Sequence, residues 1–171
     1  MRYNKIRKMD ISNGPGVRIS IFMQGCSFHC PFCFNKETWD FDGGEEFTED
    51  TIKEVLDLCE PEYIKGLSIL GGEPMNPTNI GGTTELAKAF KERYGNTDKT
   101  LWVWSGYKYE DYLSKKTDTL KYIDTIVDGQ FENDNYDPRL EFRGSSNQRI
   151  IDVPNSLKEN KLVLRDLSCL K

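Results

Sequence analysis

Residues 17–33 read VRISIFMQGCSFHCPFC, an alternating stretch that leads directly into three cysteines. The alternation of apolar and polar residues from Val17 to Met23 predicts a β-strand. Cys26, Cys30 and Cys33 follow this strand with the spacing C-x₃-C-x₂-C, so their thiols are expected at its carboxyl end. Parallel α/β folds collect their chemistry at that end of the sheet. The stretch therefore predicts both the fold class and the place of the site.

The number of cysteines in this loop points to a metal centre with an open position. A four-iron, four-sulfur cluster usually takes four Cys thiolates, and three thiolates would leave one iron able to bind a small molecule. The alternative is a structural zinc loop, with His29 or Cys59 as the fourth ligand. Structural zinc sites usually pair two short knuckles, and no second knuckle follows here. We expect Cys59 to be a core residue and Cys169 to be a tail thiol.

The length, composition and charge of the chain limit the kind of protein it can be. The chain has 171 residues, with 37% hydrophobic and 30% charged, which predicts one soluble globular domain spanning residues 1–171. No apolar run approaches the roughly 20 residues of a membrane span, and no secretory signal opens the sequence. We therefore expect a cytoplasmic protein that does not bind membranes. A net charge of -5 argues against nucleic acid as a partner.

Strands and helices alternate along the rest of the chain. Apolar positions Ile52, Val55, Leu56 and Cys59 predict a helix capped by Thr48. Further strands are predicted at 67–70, 101–104 and 125–127, and further helices at 84–94 and 109–116. Beyond Gln130 the chain is predicted to be irregular, with one late strand near 149–153 and an irregular tail after about residue 155.

This alternation predicts an α/β fold with parallel strands. A complete eight-unit barrel needs about 250 residues, whereas the chain has 171. We therefore expect an incomplete βα barrel with one open side.

Short polar or glycine-rich motifs follow the later strands. They are Gly71-Gly72-Glu73-Pro74, Ser105-Gly106 and Asp128-Gly129. Glycines let the backbone approach a ligand closely, and Glu73 could accept a hydrogen bond from an ammonium group. The donor-rich segment 143–149 is interpreted as either a polar loop or a docking surface.

Taken together, these motifs resemble those of the radical S-adenosylmethionine enzymes. Cys26, Cys30, Phe32 and Cys33 match the C-x₃-C-x₂-C loop of that family, which carries an aromatic residue before its last cysteine. Within the family, the chain is similar to the activating proteins of anaerobic ribonucleoside-triphosphate reductases. The likeness covers about residues 10 to 150, including the segments 13–16, 35–39, 71–74, 102–107, 127–129 and 143–148.

The resemblance implies a mechanism. Cys26, Cys30 and Cys33 hold one [4Fe–4S] cluster, whose fourth iron binds the amino and carboxylate groups of S-adenosylmethionine. Reductive cleavage gives methionine and a 5′-deoxyadenosyl radical, which takes hydrogen from a glycine of the large subunit of the reductase. The electron would come from a flavodoxin- or ferredoxin-like donor. The cofactor-binding residues implied are Phe32, Cys33, Phe34, Gly72, Glu73, Ser105, Gly106, Gly129, Gln130 and Phe131.

Two alternatives stay open at this point. One is another radical enzyme, either an activator of a glycyl-radical enzyme of the formate-lyase type or a small radical synthase that acts on a purine-like substrate. The other is a non-catalytic zinc-binding interaction module, which would contain zinc and would not turn over S-adenosylmethionine.

Overall fold

The fold is built on one mixed, mostly parallel sheet. The structure, a computed structural model, describes residues 1–168. Seven strands pair in the order β3-β1-β2-β4-β5-β6-β7. Their bounds are β1 Arg2–Asp10, β2 Val17–Met23, β3 Glu45–Glu46, β4 Ile64–Gly71, β5 Thr100–Ser105, β6 Thr125–Asp128 and β7 Arg149–Asp152. The two outermost strands, β3 and β7, do not pair with each other, so the predicted α/β sheet with an open side is confirmed.

The prediction of parallel strands holds for the centre of the sheet and is wrong at both edges. Strands β2, β4, β5 and β6 pair in parallel. At one edge β1 runs antiparallel to β2, and at the other edge β7 runs antiparallel to β6. Strand β1 was missed because its sequence is mostly polar, as suits an edge strand. Residues 11–16, which include the segment 13–16, connect β1 to the antiparallel β2 as a hairpin.

Helices cover one face of the sheet. They are α1 Glu49–Leu58, α2 Ile80–Tyr94, α3 Thr117–Leu120 and α4 Val153–Glu159. Thr48 caps α1 as predicted, since its side chain accepts from the backbone N–H of Thr51 and its own N–H donates to Oγ1 of Thr51. Helix α4 reaches Glu159, beyond the point where irregular structure was expected to begin. None of the helices within residues 1–168 is long and apolar enough to cross a membrane.

The helix predicted over 109–116 is wrong. That segment contains only a 3₁₀ turn, Leu113–Lys115, before the short α3 begins. Tertiary contacts fix its backbone instead, because the N–H of Tyr109 donates to Oδ2 of Asp128 at 2.8 Å and the side chain of Leu113 is buried in the core.

The two faces of the sheet have different roles. Alternate residues of β2, such as Ile19 and Ile21, are buried in the main core, together with Val55 of α1 and Phe90 of α2. On the opposite face, Trp102 packs with Val127 and Ile150 in a smaller cluster. Phe22, Leu70 and Trp104 line a cleft. The sheet therefore forms a back wall for the cleft, while the helices stabilise it from behind.

Candidate functional site

The cysteine loop leaves the carboxyl end of β2 and is fixed at both ends. The N–H of Gly25 donates to the carbonyl of Thr38 at 2.8 Å, and the N–H of Cys26 donates to the carbonyl of Trp39 at 3.0 Å. Within the loop, the N–H of Cys33 donates to the carbonyl of Cys30 at 3.1 Å, closing a tight turn. Backbone hydrogen bonds thus join the start of the cysteine loop to residues 38–39 and close its end.

The three thiols lie at the edge of a cleft and are half-buried. Burial raises the pKa of the Cys26 and Cys30 thiols above the usual value. Sγ of Cys30 lies 3.7 Å from Oε1 of Gln130, so the loop also contacts the far side of the cleft. Cys59 is fully buried in the core as predicted, and Cys169 lies outside the described residues.

Within residues 1–168, no three His, Cys, Asp or Glu side chains converge so as to hold a single metal ion. His29 packs instead against Trp39, with ring centroids 4.6 Å apart. A single zinc ion needs its ligands around one point, whereas the irons of a cluster are ligated separately.

The cleft has a volume of about 440 Å³ and lies at the carboxyl ends of β2, β4, β5 and β6. It brings together eleven of the twelve residues named from the sequence. These are Cys26, Cys30, Cys33, Phe34, Gly72, Glu73, Ser105, Gly106, Gly129, Gln130 and Phe131.

Phe32 is the residue that the structure places elsewhere. Its side chain is 67% exposed and lies in a neighbouring groove with Tyr107 and Tyr112. The backbone of Phe32 is left-handed, with φ 59°. Phe34 takes the place beside the cysteines and packs against Phe131, with ring centroids 5.1 Å apart. Phe28 and Phe34 are therefore the phenylalanines of the loop that line the cleft.

Gly72 lies where two backbone segments meet. Its N–H donates to the carbonyl of Met23 at 2.8 Å, and a Cβ atom at this position would lie 2.5 Å from the carbonyl oxygen of Gly25. Only glycine fits so close an approach of backbone to backbone. Its carbonyl oxygen receives no hydrogen bond from residues 1–168 and can accept one from a ligand.

The carboxylate of Glu73 joins the loops after β4 and β5. Its Oε1 accepts from Oγ of Ser105 at 2.8 Å and from the N–H of Met75 at 2.9 Å. Its Oε2 accepts from the N–H of Gly106 at 2.6 Å. Burial raises the pKa of Glu73 to about 7, although these three hydrogen bonds oppose the shift. The predicted contact between Glu73 and an ammonium group stays a prediction, while the loop bonds give Glu73 a positioning role.

Asn79 is a functional residue that the sequence reasoning missed. It is 1% exposed, and its Nδ2 lies 3.0 Å from the carbonyl of Gln24, 3.2 Å from that of Gly25 and 3.0 Å from that of Glu73. The side chain thus joins the start of the cysteine loop to the glycine motif. A polar residue directly before a helix is usually interpreted as a cap. The sequence pattern therefore does not predict the contacts of Asn79 with the cysteine loop.

Arg149, the last residue of the donor-rich segment 143–149, has a structural role that the sequence did not predict. Its Nε donates to Oδ1 of Asp128 at 3.0 Å, and its Nη1 donates to Oε1 of Glu110 at 2.8 Å. The hydrogen bond from Arg149 lowers the pKa of Glu110 to about 2. Because Asp128 ends β6 and is fully buried, this network fixes the start of the Gly129 loop.

The segment 143–149 folds over Gly129. The sequence had allowed two interpretations of this segment, a polar loop or a docking surface. Nε2 of Gln148 donates to the carbonyl of Gly129 at 2.9 Å. Its Oε1 accepts from the N–H of Gly144 at 2.9 Å and from the N–H of Ser145 at 3.2 Å. Arg143, Gly144 and Gln148 all line the cleft, so the segment forms one of its walls.

Comparison with known proteins gives the family. A family model described as a 4Fe-4S single cluster domain matches residues 12–151. An anaerobic ribonucleoside-triphosphate reductase-activating protein of Enterobacteria phage T4 is 39% identical over 150 residues, which cover 88% of this chain and 93% of the relative. Proteins of the same name from Vibrio cholerae and Escherichia coli K12 are each 36% identical. Those alignments cover 88% and 86% of this chain, and 97% and 96% of the relatives. The chain belongs to the family of anaerobic ribonucleoside-triphosphate reductase-activating proteins, within the 4Fe-4S single cluster domain family.

Proposed function

We propose that this chain activates an anaerobic ribonucleoside-triphosphate reductase by radical S-adenosylmethionine chemistry. The observation that carries the proposal is the shared cleft, in which three thiols face glycine-rich loops from three successive parallel strands. The three relatives that are named for this activity align with 86–88% of this chain at 36–39% identity.

Cys26, Cys30 and Cys33 are the proposed ligands of the [4Fe–4S] cluster. The donor set fits, because the three thiols line one cleft and cysteine thiolates are the usual ligands of such clusters. Three thiolates leave the fourth iron without a protein ligand. Hydrogen bonds from the N–H groups of Gly25 and Cys26 to the carbonyls of Thr38 and Trp39 hold the start of the loop that carries these ligands.

S-adenosylmethionine fits the same cleft by its chemistry. The carbonyl of Gly72 is available to its ammonium group, and Phe34 and Phe131 offer ring faces to the adenine. Ser105, Gly106, Gly129 and Gln130 complete the proposed binding surface. The bound groups supply the one-electron cleavage of S-adenosylmethionine and the removal of hydrogen from a glycine, and the protein positions them.

The proposed substrate is the glycine-bearing loop of the large reductase subunit. The mouth of the cleft is open to a second protein, since Phe34 is 64% exposed and Tyr136, in contact with it, is 48% exposed. Exposed aromatic side chains are enriched in protein interfaces. We propose a flavodoxin- or ferredoxin-like protein as the electron donor, and the cytoplasm as the compartment.

The test is anaerobic reconstitution of the cluster, followed by reduction with S-adenosylmethionine present. We expect 5′-deoxyadenosine in the mixture and, when the reductase is added, a glycyl-radical signal by electron paramagnetic resonance. Formation of 5′-deoxyadenosine without the glycyl-radical signal would indicate that another glycyl-radical enzyme is the substrate. Zinc in the purified protein and no product would instead support a structural module.

A further inference from the structure

Asn79 lies directly before helix α2, but its side chain does not cap that helix. The backbone at Asn79 is helical, with φ -102° and ψ -24°, whereas a capping residue usually has extended backbone. Within residues 1–168 its side chain makes no capping hydrogen bond to the first turn of α2. The asparagine therefore forgoes the stabilisation that a cap gives, and its amide is directed to other partners.

The amide of Asn79 is buried against backbone carbonyls from two loops. Its Nδ2 lies 3.0 Å and 3.2 Å from the carbonyl oxygens of Gln24 and Gly25, at the start of the cysteine loop. The same nitrogen lies 3.0 Å from the carbonyl oxygen of Glu73, in the loop after β4. A side-chain NH₂ group has two hydrogens to donate, and three acceptors surround it here. The donors of this buried group are therefore fully used between the two loops.

These two loops carry different parts of the proposed site. Gly25 directly precedes Cys26, a proposed cluster ligand, and Glu73 directly follows Gly72, whose carbonyl is the proposed acceptor for the ammonium group of S-adenosylmethionine. One backbone bond joins the loops, since the N–H of Glu73 donates to the carbonyl of Gly25 at 2.9 Å. Asn79 contacts the same junction from α2, a helix whose inner face is packed in the core. The junction is thus held from a third element of the fold.

We propose that Asn79 is a positioning residue that fixes the spacing between the cysteine loop and the loop of Gly72 and Glu73. The inference rests on the proposed function and deepens it. Asn79 is 1% exposed, so it acts through the two loops and not by contact with a ligand. Loss of its amide leaves all three thiols in the chain, but the two loops must then be ordered when S-adenosylmethionine binds, which weakens binding.

The test removes the amide and keeps a residue that suits the position. Asn79→Ser introduces a side chain that is favoured directly before a helix, so α2 should persist. The cluster is reconstituted anaerobically in the full chain, and the dissociation constant of S-adenosylmethionine is measured by isothermal titration calorimetry. We expect the iron content of the wild type, together with binding that is weaker by about tenfold, as for loss of buried hydrogen bonds that order the site.

Thr83→Val is the matched control. Thr83 is fully buried in the same helix, and its Oγ1 donates to the carbonyl of Pro74 at 2.9 Å. The variant therefore also removes a buried side-chain bond to the loop after β4, but that bond does not reach the cysteine loop. Its dissociation constant should stay within about twofold of the wild-type value, since the junction is intact. Melting temperatures show whether the two variants lose comparable stability.

Hydrogen exchange on the same loaded samples measures the junction itself. In Asn79→Ser the amides of residues 24–30 should exchange about tenfold faster than in the wild type, because the start of the cysteine loop has lost its contact with α2. In Thr83→Val the exchange of these amides should be unchanged.

The inference fails if the two variants weaken binding equally, if Asn79→Ser does not weaken it, or if exchange of residues 24–30 is unchanged. It also fails if Asn79→Ser loses the cluster, because Asn79 would then be needed for loading. In each of these cases the proposed function stands. If Asn79→Ser does not fold, Asn79→Gly, which is also tolerated directly before a helix, replaces it in every comparison. A wild-type protein that loads the cluster and does not bind S-adenosylmethionine would overturn the proposed function together with the inference.

Discussion

The backbone N–H of Gly106 donates to Oε2 of Glu73 at 2.6 Å, which ties the loop after β5 to the loop after β4. Ser105 adds a second bond between the same loops. A carboxylate in this position orders two walls of the cleft at once, and its protonation changes the strength of both contacts.

Glu73→Gln should remove a pH dependence of stability. Burial raises the pKa of Glu73 to about 7, above the usual value of 4.5, so the folded chain holds this proton over a pH range where the unfolded chain has lost it. The free energy of unfolding of the wild type should therefore fall, by up to about 3 kcal/mol, as pH rises from about 4.5 to 7.

In Glu73→Gln this fall with pH should be absent. The free energy of unfolding of the variant should also be lower than that of the wild type at every pH, because the amide NH₂ group faces N–H and O–H donors. Urea denaturation of the cluster-free variant and wild type at several pH values gives the comparison. Parallel pH profiles for the two proteins would contradict the assignment of this proton to Glu73.

Cys30→Ala should abolish cluster binding, since it removes one of three proposed ligands. Anaerobic reconstitution followed by iron and sulfide analysis measures the loss. Cys59→Ala is the matched control, because Cys59 lies in the core away from the cleft, and its iron content should equal that of the wild type. A four-iron cluster retained in Cys30→Ala would refute the ligand assignment.

Gly72→Ala should reduce cluster loading without unfolding the protein. The added Cβ atom would lie 2.5 Å from the carbonyl oxygen of Gly25, so the backbone before Cys26 must move. In contrast, a Cβ atom on Gly81 meets nothing within 4 Å. Gly81→Ala in α2 should stabilise the chain by up to about 1 kcal/mol through helix propensity and keep full loading. Equal iron content in both variants would argue against the close approach at Gly72.

Arg149→Met should destabilise the fold, because it leaves the fully buried Asp128 carboxylate without its cation. Removing one partner of a buried pair costs about 3–5 kcal/mol, which corresponds to a fall in melting temperature of about 10 °C for a chain of this size. Arg139→Met breaks an exposed pair with Asp137 and should leave the melting temperature unchanged. Similar melting temperatures for the two variants would mean that Asp128 does not depend on Arg149.

The sequence was sufficient for the centre of the sheet and for most of the cleft. Central strand β4 carries the apolar residues Leu67, Ile69 and Leu70, and a glycine or a polar residue ends β4, β5 and β6 beside the cleft. Edge strand β1 was missed because charged residues replace the apolar pattern there. The roles of Asn79 and Arg149 depend on contacts between distant segments, and no local pattern encodes them. The place of Phe32 in a neighbouring groove depends on the left-handed backbone of the loop, and its contact with the cofactor stays a prediction.

The incomplete pairing of β1 has a consequence for the behaviour of the protein at high concentration. Strand β3 pairs with β1 only at Arg2 and Tyr3, and within residues 1–168 no strand covers the outer edge of β1 beyond them. Unpaired edges invite association between sheets of separate molecules, and lysine or arginine on the edge opposes it. Lys5, Arg7 and Lys8 lie along this edge. We therefore expect the charged side chains of β1 to oppose association of the open sheet with copies of the chain.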